Sequence, residues 1–235
     1  MKTFFKQTAL VALAFTLVIS LGSCEATRNA NNKQKGAVIG ATGGAVLGAI
    51  LGNNIGKGGN SELGAVIGGV VGGSAGVIIG NKMDKQAQKI EEEIPGAQVE
   101  RVDDGIVVTF DENSGVYFAT NKYNLNTQSQ ETLDRLANVL KEYPDTNILV
   151  VGHTDSTGPR DFNMTLSRDR ANSVTNYFVS QKGLGSGRIT TKWFGPDTPI
   201  ADNSTVEGRA KNRRVNIAIV PNEKMKNDAK NEAGE

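Results

Sequence analysis

The hydrophobic and polar positions of the last half of the chain alternate between two periods. Leu133, Leu136, Ala137 and Leu140 fall three or four apart, so a helix starting at Thr127 buries them as one stripe, with Pro144 ending the run. Thr127 and Gln130 fit a T-x-x-Q capping box at its start. Asn163 to Phe178 reads as a second helix, with Leu166, Val174, Tyr177 and Phe178 on one face. Short apolar runs at Val116–Phe118, Ile148–Val151, Ile189–Phe194 and Val215–Val220 read as strands. Their order is βαβαββ: an α+β sandwich whose two strand–helix units make right-handed crossovers, with the helices on one sheet face. Upstream, Asp84–Ile94 reads as a short charged helix ending at Pro95, and residues 98–101 and 106–110 as a hairpin turning on Asp103-Asp104-Gly105. Residues 222–235 are polar and read as a disordered tail.

A different pattern fills residues 36–80. Gly36, Gly40, Gly44, Gly48, Gly52 and Gly56 recur every four residues, and Gly64, Gly68, Gly72, Gly76 and Gly80 repeat the period. Uncharged aliphatic residues lie between them, and Asn53–Ser61 carries the turn signal that joins the two arms. Glycine costs about 1 kcal/mol per residue relative to alanine in a solvated helix. In lipid the penalty for unpaired backbone groups is larger, and a glycine ridge lets two helix backbones touch. Each arm spans roughly 25–27 Å as a helix, which suits a thin bilayer. The arms resemble a glycine-zipper helical hairpin; a flexible glycine-rich linker is the competing reading.

The start of the chain adds an address. Lys2 and Lys6 precede the apolar run Thr8–Leu21, which has the length of a signal-peptide core and is short for a permanent span. Leu21-Gly22-Ser23-Cys24 resembles the lipobox of bacterial lipoproteins, in which the cysteine is lipidated and the chain is cut before it. Residues 1–23 are then a signal peptide and 24–35 a polar lipidated leader. Cys24 is the one cysteine of the 235 residues, so no internal disulfide forms. A net charge of +1 argues against a nucleic-acid binder.

Arg170 is the conspicuous candidate for chemistry. It lies four residues after Leu166 and four before Val174, in the middle of the apolar helix face. A guanidinium keeps its charge, and burying it unpaired costs several kcal/mol, so an anion is expected against it. Asp155 follows the buried strand Ile148–Val151, in the loop at its carboxyl end, where open α/β sheets place ligands. The two could form an internal ion pair or clamp a zwitterion. His153, the one histidine, lacks a nucleophile beside it, and one histidine with one modified cysteine cannot build a zinc site.

Three motifs then carry a family resemblance: Gly152-His153-Thr154-Asp155 with Gly158; Asn163, Leu166-Ser167, Arg170-Ala171 and Val174; and Gly208-Arg209 with Asn212-Arg213-Arg214-Val215. In this order and spacing they resemble the OmpA-like peptidoglycan-binding domain, over roughly residues 105–220. The resemblance implies that Asp155 takes the side-chain ammonium of the diaminopimelate in the peptidoglycan stem peptide. Arg170 takes its side-chain carboxylate, with Thr154, Asn163 and Arg213 in supporting hydrogen bonds. It also implies no cofactor. Family members often carry an aspartate directly after the aromatic of the first strand, where this chain has Ala119.

The resulting organisation is signal peptide (1–23), lipidated leader (24–35), glycine-zipper hairpin (36–80), connector (81–104), OmpA-like domain (105–221) and tail (222–235). The expected protein is a non-enzymatic lipoprotein of the outer membrane. Lipid on Cys24 and the hairpin hold the membrane, the C-terminal domain holds peptidoglycan in the periplasm, and homo-oligomers are compatible with the zipper. The rival is a pore or assembly scaffold built on the hairpin, with wall binding secondary.

Overall fold

The structure, a computed structural model, describes residues 71–111, 115–119 and 121–235. Cys24, the leader and nearly all of the glycine-rich block lie outside the described residues. The elements are α1 (Gly73–Glu93), β1 (Gln98–Val102), β2 (Gly105–Phe110), α2 (Thr127–Glu142), β3 (Thr146–His153), α3 (Arg160–Asn176), β4 (Ile189–Gly195), α4 (Val206–Asn212), β5 (Val215–Pro221) and α5 (Glu223–Ala233).

The strands form one sheet in the order β1-β2-β5-β3-β4, giving a mixed α+β fold. Only β3 and β4, joined through α3, are parallel neighbours. The last strand, β5, inserts antiparallel between β2 and β3, so those two run the same way without touching. Side chains alternate across this register. Ile106, Val108, Phe110, Ile148, Val150, Val215, Ile217 and Ile219 face the helices and form the main core with Leu133, Leu136, Leu140, Val174 and Phe178. A smaller cluster, with Val107, Leu149, Val151 and Ala218, occupies the opposite sheet face.

Several elements differ from the sequence reading. The strand at Val116–Phe118 does not form: this segment is extended, but its backbone pairs with a side chain instead of a neighbouring strand. Tyr117 N donates to Ser129 Oγ, and Ser129 Oγ donates to Tyr117 O, both at 3.2 Å. The place of that strand in the sheet goes to β2, and the hairpin partner β1 extends the sheet, so the domain includes residues on both sides of 105. The cap of α2 sits one residue earlier than expected: Asn126 Oδ1 accepts from Ser129 N at 2.7 Å, while Gln130 donates to Leu125 O. The Asn163–Phe178 helix begins at Arg160 and ends in a π-helical turn over Tyr177–Gln181.

The composition change at residue 80 is not a structural boundary. The buried positions Ala75, Ile79, Met83, Ala87 and Ile90 keep helical spacing straight through it, so α1 continues to Glu93, and Pro95 follows. Polar residues such as Asn81, Asp84 and Lys85 mark the solvent face of α1. The last glycines of the second arm therefore belong to a helix packed on the domain. No helix among the described residues is long and apolar enough to cross a membrane.

Within residues 222–235, Glu223–Ala233 is helical, which corrects the disordered tail. Asn222 caps α5 by accepting from Met225 N at 2.9 Å, and Gly234 ends it in the left-handed conformation. Met225 and Ala229, four apart, are buried in the core cluster that includes α1, with Ala233 packed beside them. So sparse a stripe is invisible to composition but enough for a two-helix contact. Glu235 Oε1 accepts from Ser74 N at 3.0 Å, and Asp104 Oδ2 from Val71 N at 3.2 Å, placing two carboxylates at the start of α1. Deleting residues 223–235 should uncover the buried face of α1 and cost roughly 2–4 kcal/mol from lost apolar burial. Thermal denaturation of the truncated chain checks this; an unchanged Tm would show that α5 contributes nothing.

Candidate functional site

The cleft forms where four pieces of chain converge at the carboxyl end of β3. It has a volume of about 410 Å³. Thr154, Asp155 and Thr157 come from the loop after β3, Asn163, Leu166 and Arg170 from α3, Phe118 and Asn121 from the 116–122 segment, and Arg213 from the end of α4. All five cleft residues expected from sequence therefore meet in one place. Phe118, Asn121, Thr157 and Leu166 were not foreseen. Asn121 had a detectable signal: its φ of 58° is a left-handed conformation that asparagine tolerates better than most residues, and it makes the turn in which Lys122 N donates to Ala119 O.

Two glycines let α3 lie close to the sheet. A Cβ on Gly152 would stand 2.1 Å from Ser167 O and 3.2 Å from Ala171 Cβ. A Cβ on Gly195, whose φ is 52°, would meet Met164 Sδ at 2.7 Å. The same packing positions the loop after β3. Thr154 N donates to Gly195 O at 2.9 Å, and Gly195 N donates to Ser167 Oγ at 3.0 Å.

The local hydrogen bonds of Asp155 make a turn: Oδ1 accepts from Thr157 N at 2.8 Å. Its other oxygen, Oδ2, takes Arg213 Nη1 at 2.7 Å. Burial pushes this carboxyl up, but Arg213 and the hydrogen bonds from Thr157 outweigh burial and hold it below the ordinary value of 3.8. The sequence left open an internal pair between Asp155 and Arg170; the ion pair of Asp155 is made with Arg213 instead.

Arg170 is 3% exposed. Its Nε donates to Lys122 O at 3.0 Å and its Nη2 approaches Ala119 O at 3.5 Å. The guanidinium carbon sits 5.1 Å from the centroid of the Phe118 ring, in cation–π range. The residue at the family's aspartate position thus meets the arginine through its main-chain carbonyl. Asn163 is also buried and donates from Nδ2 to Thr157 O at 2.9 Å, bracing the loop that carries Asp155. The hydroxyl of Thr154 is buried with no hydrogen-bond partner among the described residues.

The third motif is mostly scaffold. Asn212 is fully buried and accepts from Ile200 N and Ala201 N while donating to Ala201 O and Asn203 Oδ1. Asn203 in turn accepts from Ser156 N, beside Asp155. Arg209 donates to Asn203 O and Ser204 O. Arg214 is buried, donating to Thr198 O at 3.1 Å, and burial lowers its pKa to about 10. Only Arg213 of this motif reaches the cleft. His153 is buried at 1% exposure with Nδ1 2.8 Å from Thr198 Oγ1; burial, then Arg214, pushes it far toward the neutral form. Trp193 lies at the rim of the fold, 37% exposed, and Phe194 packs against the smaller sheet-face cluster.

Comparison with known proteins agrees with this geometry. Residues 117–213 match the OmpA family, and residues 1–84 match the YMGG-like Gly-zipper. Probable lipoprotein YiaD of Escherichia coli is 43% identical over 141 residues, covering 59% of this chain and 63% of that protein. Peptidoglycan-binding protein ArfA of Mycobacterium tuberculosis is 45% identical over 89 residues, covering 38% of this chain and 27% of that protein. The chain thus spans less than two thirds of each. The solved cell wall anchor of the T6SS from Pseudomonas aeruginosa superposes with a TM-score of 0.50 at 29% identity, over 59% of this chain and 96% of that one. The segment that matches the OmpA family, residues 117–213, holds all the cleft residues.

Proposed function

We propose that this domain binds peptidoglycan without covalent chemistry, gripping the diaminopimelate of the stem peptide. The carrying observation is that a buried guanidinium, Arg170, and a carboxylate, Asp155, line one cleft. A ligand bearing a carboxylate and an ammonium on one side chain complements that pair. Asp155 has acceptor capacity to spare, since a carboxylate offers about four lone-pair sites and the bonds from Thr157, main chain and side chain, and from Arg213 use three. The unpartnered Thr154 hydroxyl supplies a further contact on the same wall. Two similar proteins, peptidoglycan-binding protein ArfA and the cell wall anchor of the T6SS, support the ligand class.

Each charged contact is worth only about 1.5–3 kcal/mol, so retention on a polymer rests on many sites acting in parallel. At the other end of the chain, lipid on Cys24 and the glycine-rich segment would hold the outer membrane, making the protein a tether with its cleft in the periplasm. Co-sedimentation of the detergent-solubilised full chain with purified sacculi tests the reading. Free diaminopimelate should release the protein, and retention unaffected by excess diaminopimelate would remove the grip.

The pH dependence has a definite sign. Asp155 is held below 3.8, so the native carboxylate stays charged down to that value; the stabilisation from pairing it is full above 3.8 and is lost as pH falls below 3.8 through the depressed native value. Calorimetry with free diaminopimelate should show affinity unchanged from pH 7 to pH 5, with loss only below 3.8. A midpoint near 5 would contradict the clamp.

The match of residues 1–84 to the YMGG-like Gly-zipper keeps the scaffold reading in play for the other half of the chain. Conductance across bilayers reconstituted with the full-length protein decides it: steady channels favour the scaffold, and silent bilayers the tether.

A further inference from the structure

The grip just described explains the charged end of the cleft but not its outer end. Phe162 lies in the first turn of α3 and is 46% exposed. A single exposed aromatic is ordinary on a protein surface; the position of this one is what matters. Residues 162, 166 and 170 are successive i, i+4 neighbours on one side of α3. Leu166, 8% exposed, and Arg170, 3% exposed, both line the cleft. So does Asn163, which directly follows Phe162. The ridge therefore runs from a sunken guanidinium, past a buried leucine, to an aromatic ring left open to solvent.

We propose that Phe162 is a sugar-stacking subsite, taking the apolar C–H face of a pyranose of the glycan strand while Arg170 holds the stem peptide. This rests on the diaminopimelate reading above. Eight residues of α-helix separate the backbone origins of the two side chains by roughly 12 Å. Diaminopimelate is the third stem residue, so a lactyl ether, one α-linked and one γ-linked residue and its own side chain lie between the sugar and the gripped carboxylate, on the order of 20 Å when extended. A bent stem therefore has length enough to reach from a sugar on Phe162 to a carboxylate at Arg170. An aromatic face carries negative potential and suits the weakly positive C–H groups of a pyranose. No charge at that end of the ridge is required, because a neutral sugar offers none to pair with.

The test measures affinities of the detergent-solubilised full chain for free diaminopimelate, the L-Ala-D-Glu-diaminopimelate tripeptide, and the disaccharide-tripeptide. Wild type should bind the disaccharide-tripeptide more tightly than the tripeptide. Phe162→Ala should weaken the disaccharide-tripeptide roughly three- to tenfold, the scale of losing one apolar contact face. It should leave the other two ligands unchanged, and Phe162→Tyr should retain the wild-type values. A Phe162→Ala protein that binds the disaccharide-tripeptide like wild type overturns the subsite. Equal loss toward the tripeptide also overturns it, because the ring would then be touching peptide. Failure of the underlying reading looks different: wild type then ignores diaminopimelate and the tripeptide. In that case a Phe162-dependent gain from the sugar keeps the subsite, and no binding of any ligand removes both.

Discussion

Replacing Arg170 with alanine should weaken binding to sacculi by at least about 30-fold and should also destabilise the domain. The binding loss follows from deleting the buried cation that a ligand carboxylate would meet; truncating one partner of such a pair costs about 2–5 kcal/mol. The stability loss has a separate origin. Arg170 Nε donates to Lys122 O, and the guanidinium packs over Phe118, so this side chain pins the 116–122 segment to α3. Alanine would remove this charge-assisted, part-buried hydrogen bond to Lys122 O, at about 1.5–3 kcal/mol. Arg170→Lys should keep most of the charge yet lose the planar fork that addresses both carbonyls, giving intermediate binding. Sacculus pull-down and urea denaturation of the same proteins separate the two effects. An alanine variant that pulls down like wild type would remove Arg170 from the grip.

Gly152→Ala should destabilise the domain by about 3 kcal/mol or more. The new Cβ would meet Ser167 O at 2.1 Å. Both obstacles are backbone-fixed: the methyl cannot rotate away, and Ser167 O belongs to the middle of α3. Relief requires α3 to lift off β3, which opens the core around Ala171 and Val174 and shifts Arg170 with it. Overpacking of this kind costs about 1–3 kcal/mol where side chains can yield, and more where they cannot. Urea midpoints check it; a change below about 1 kcal/mol would mean that α3 is free to slide.

The glycine at the head of the first motif therefore serves packing, while the aspartate three residues later serves the cleft. Sequence alone puts both in one motif and cannot assign the two jobs. The third motif divides in the same way. Arg209 and Asn212 build the loop from Ile200 to Ser204, and only Arg213 reaches Asp155.

What the sequence determined by itself was whatever depends on local periodicity or on residue types at fixed spacing. The stripe of α2 is readable because its buried face repeats at the helical period, and β3 and β5 because their continuous apolar runs are buried on both sheet faces. The convergence of Thr154, Asp155, Asn163, Arg170 and Arg213 was readable because three spaced motifs carry it. Tertiary structure decided everything that depends on which surface finds which partner. The helix at 223–233 exists because Met225 and Ala229 meet α1, a contact between the two ends of the described chain that no local window contains. The Val116–Phe118 segment alternates in burial like a strand but joins no strand of the sheet, and Ser129 bonds its backbone at Tyr117 instead. The pairing of Asp155 with Arg213 likewise spans 58 residues and required β5 to insert beside β3. Burial periods are local properties of the chain, whereas the choice among competing partners is settled only when the core closes.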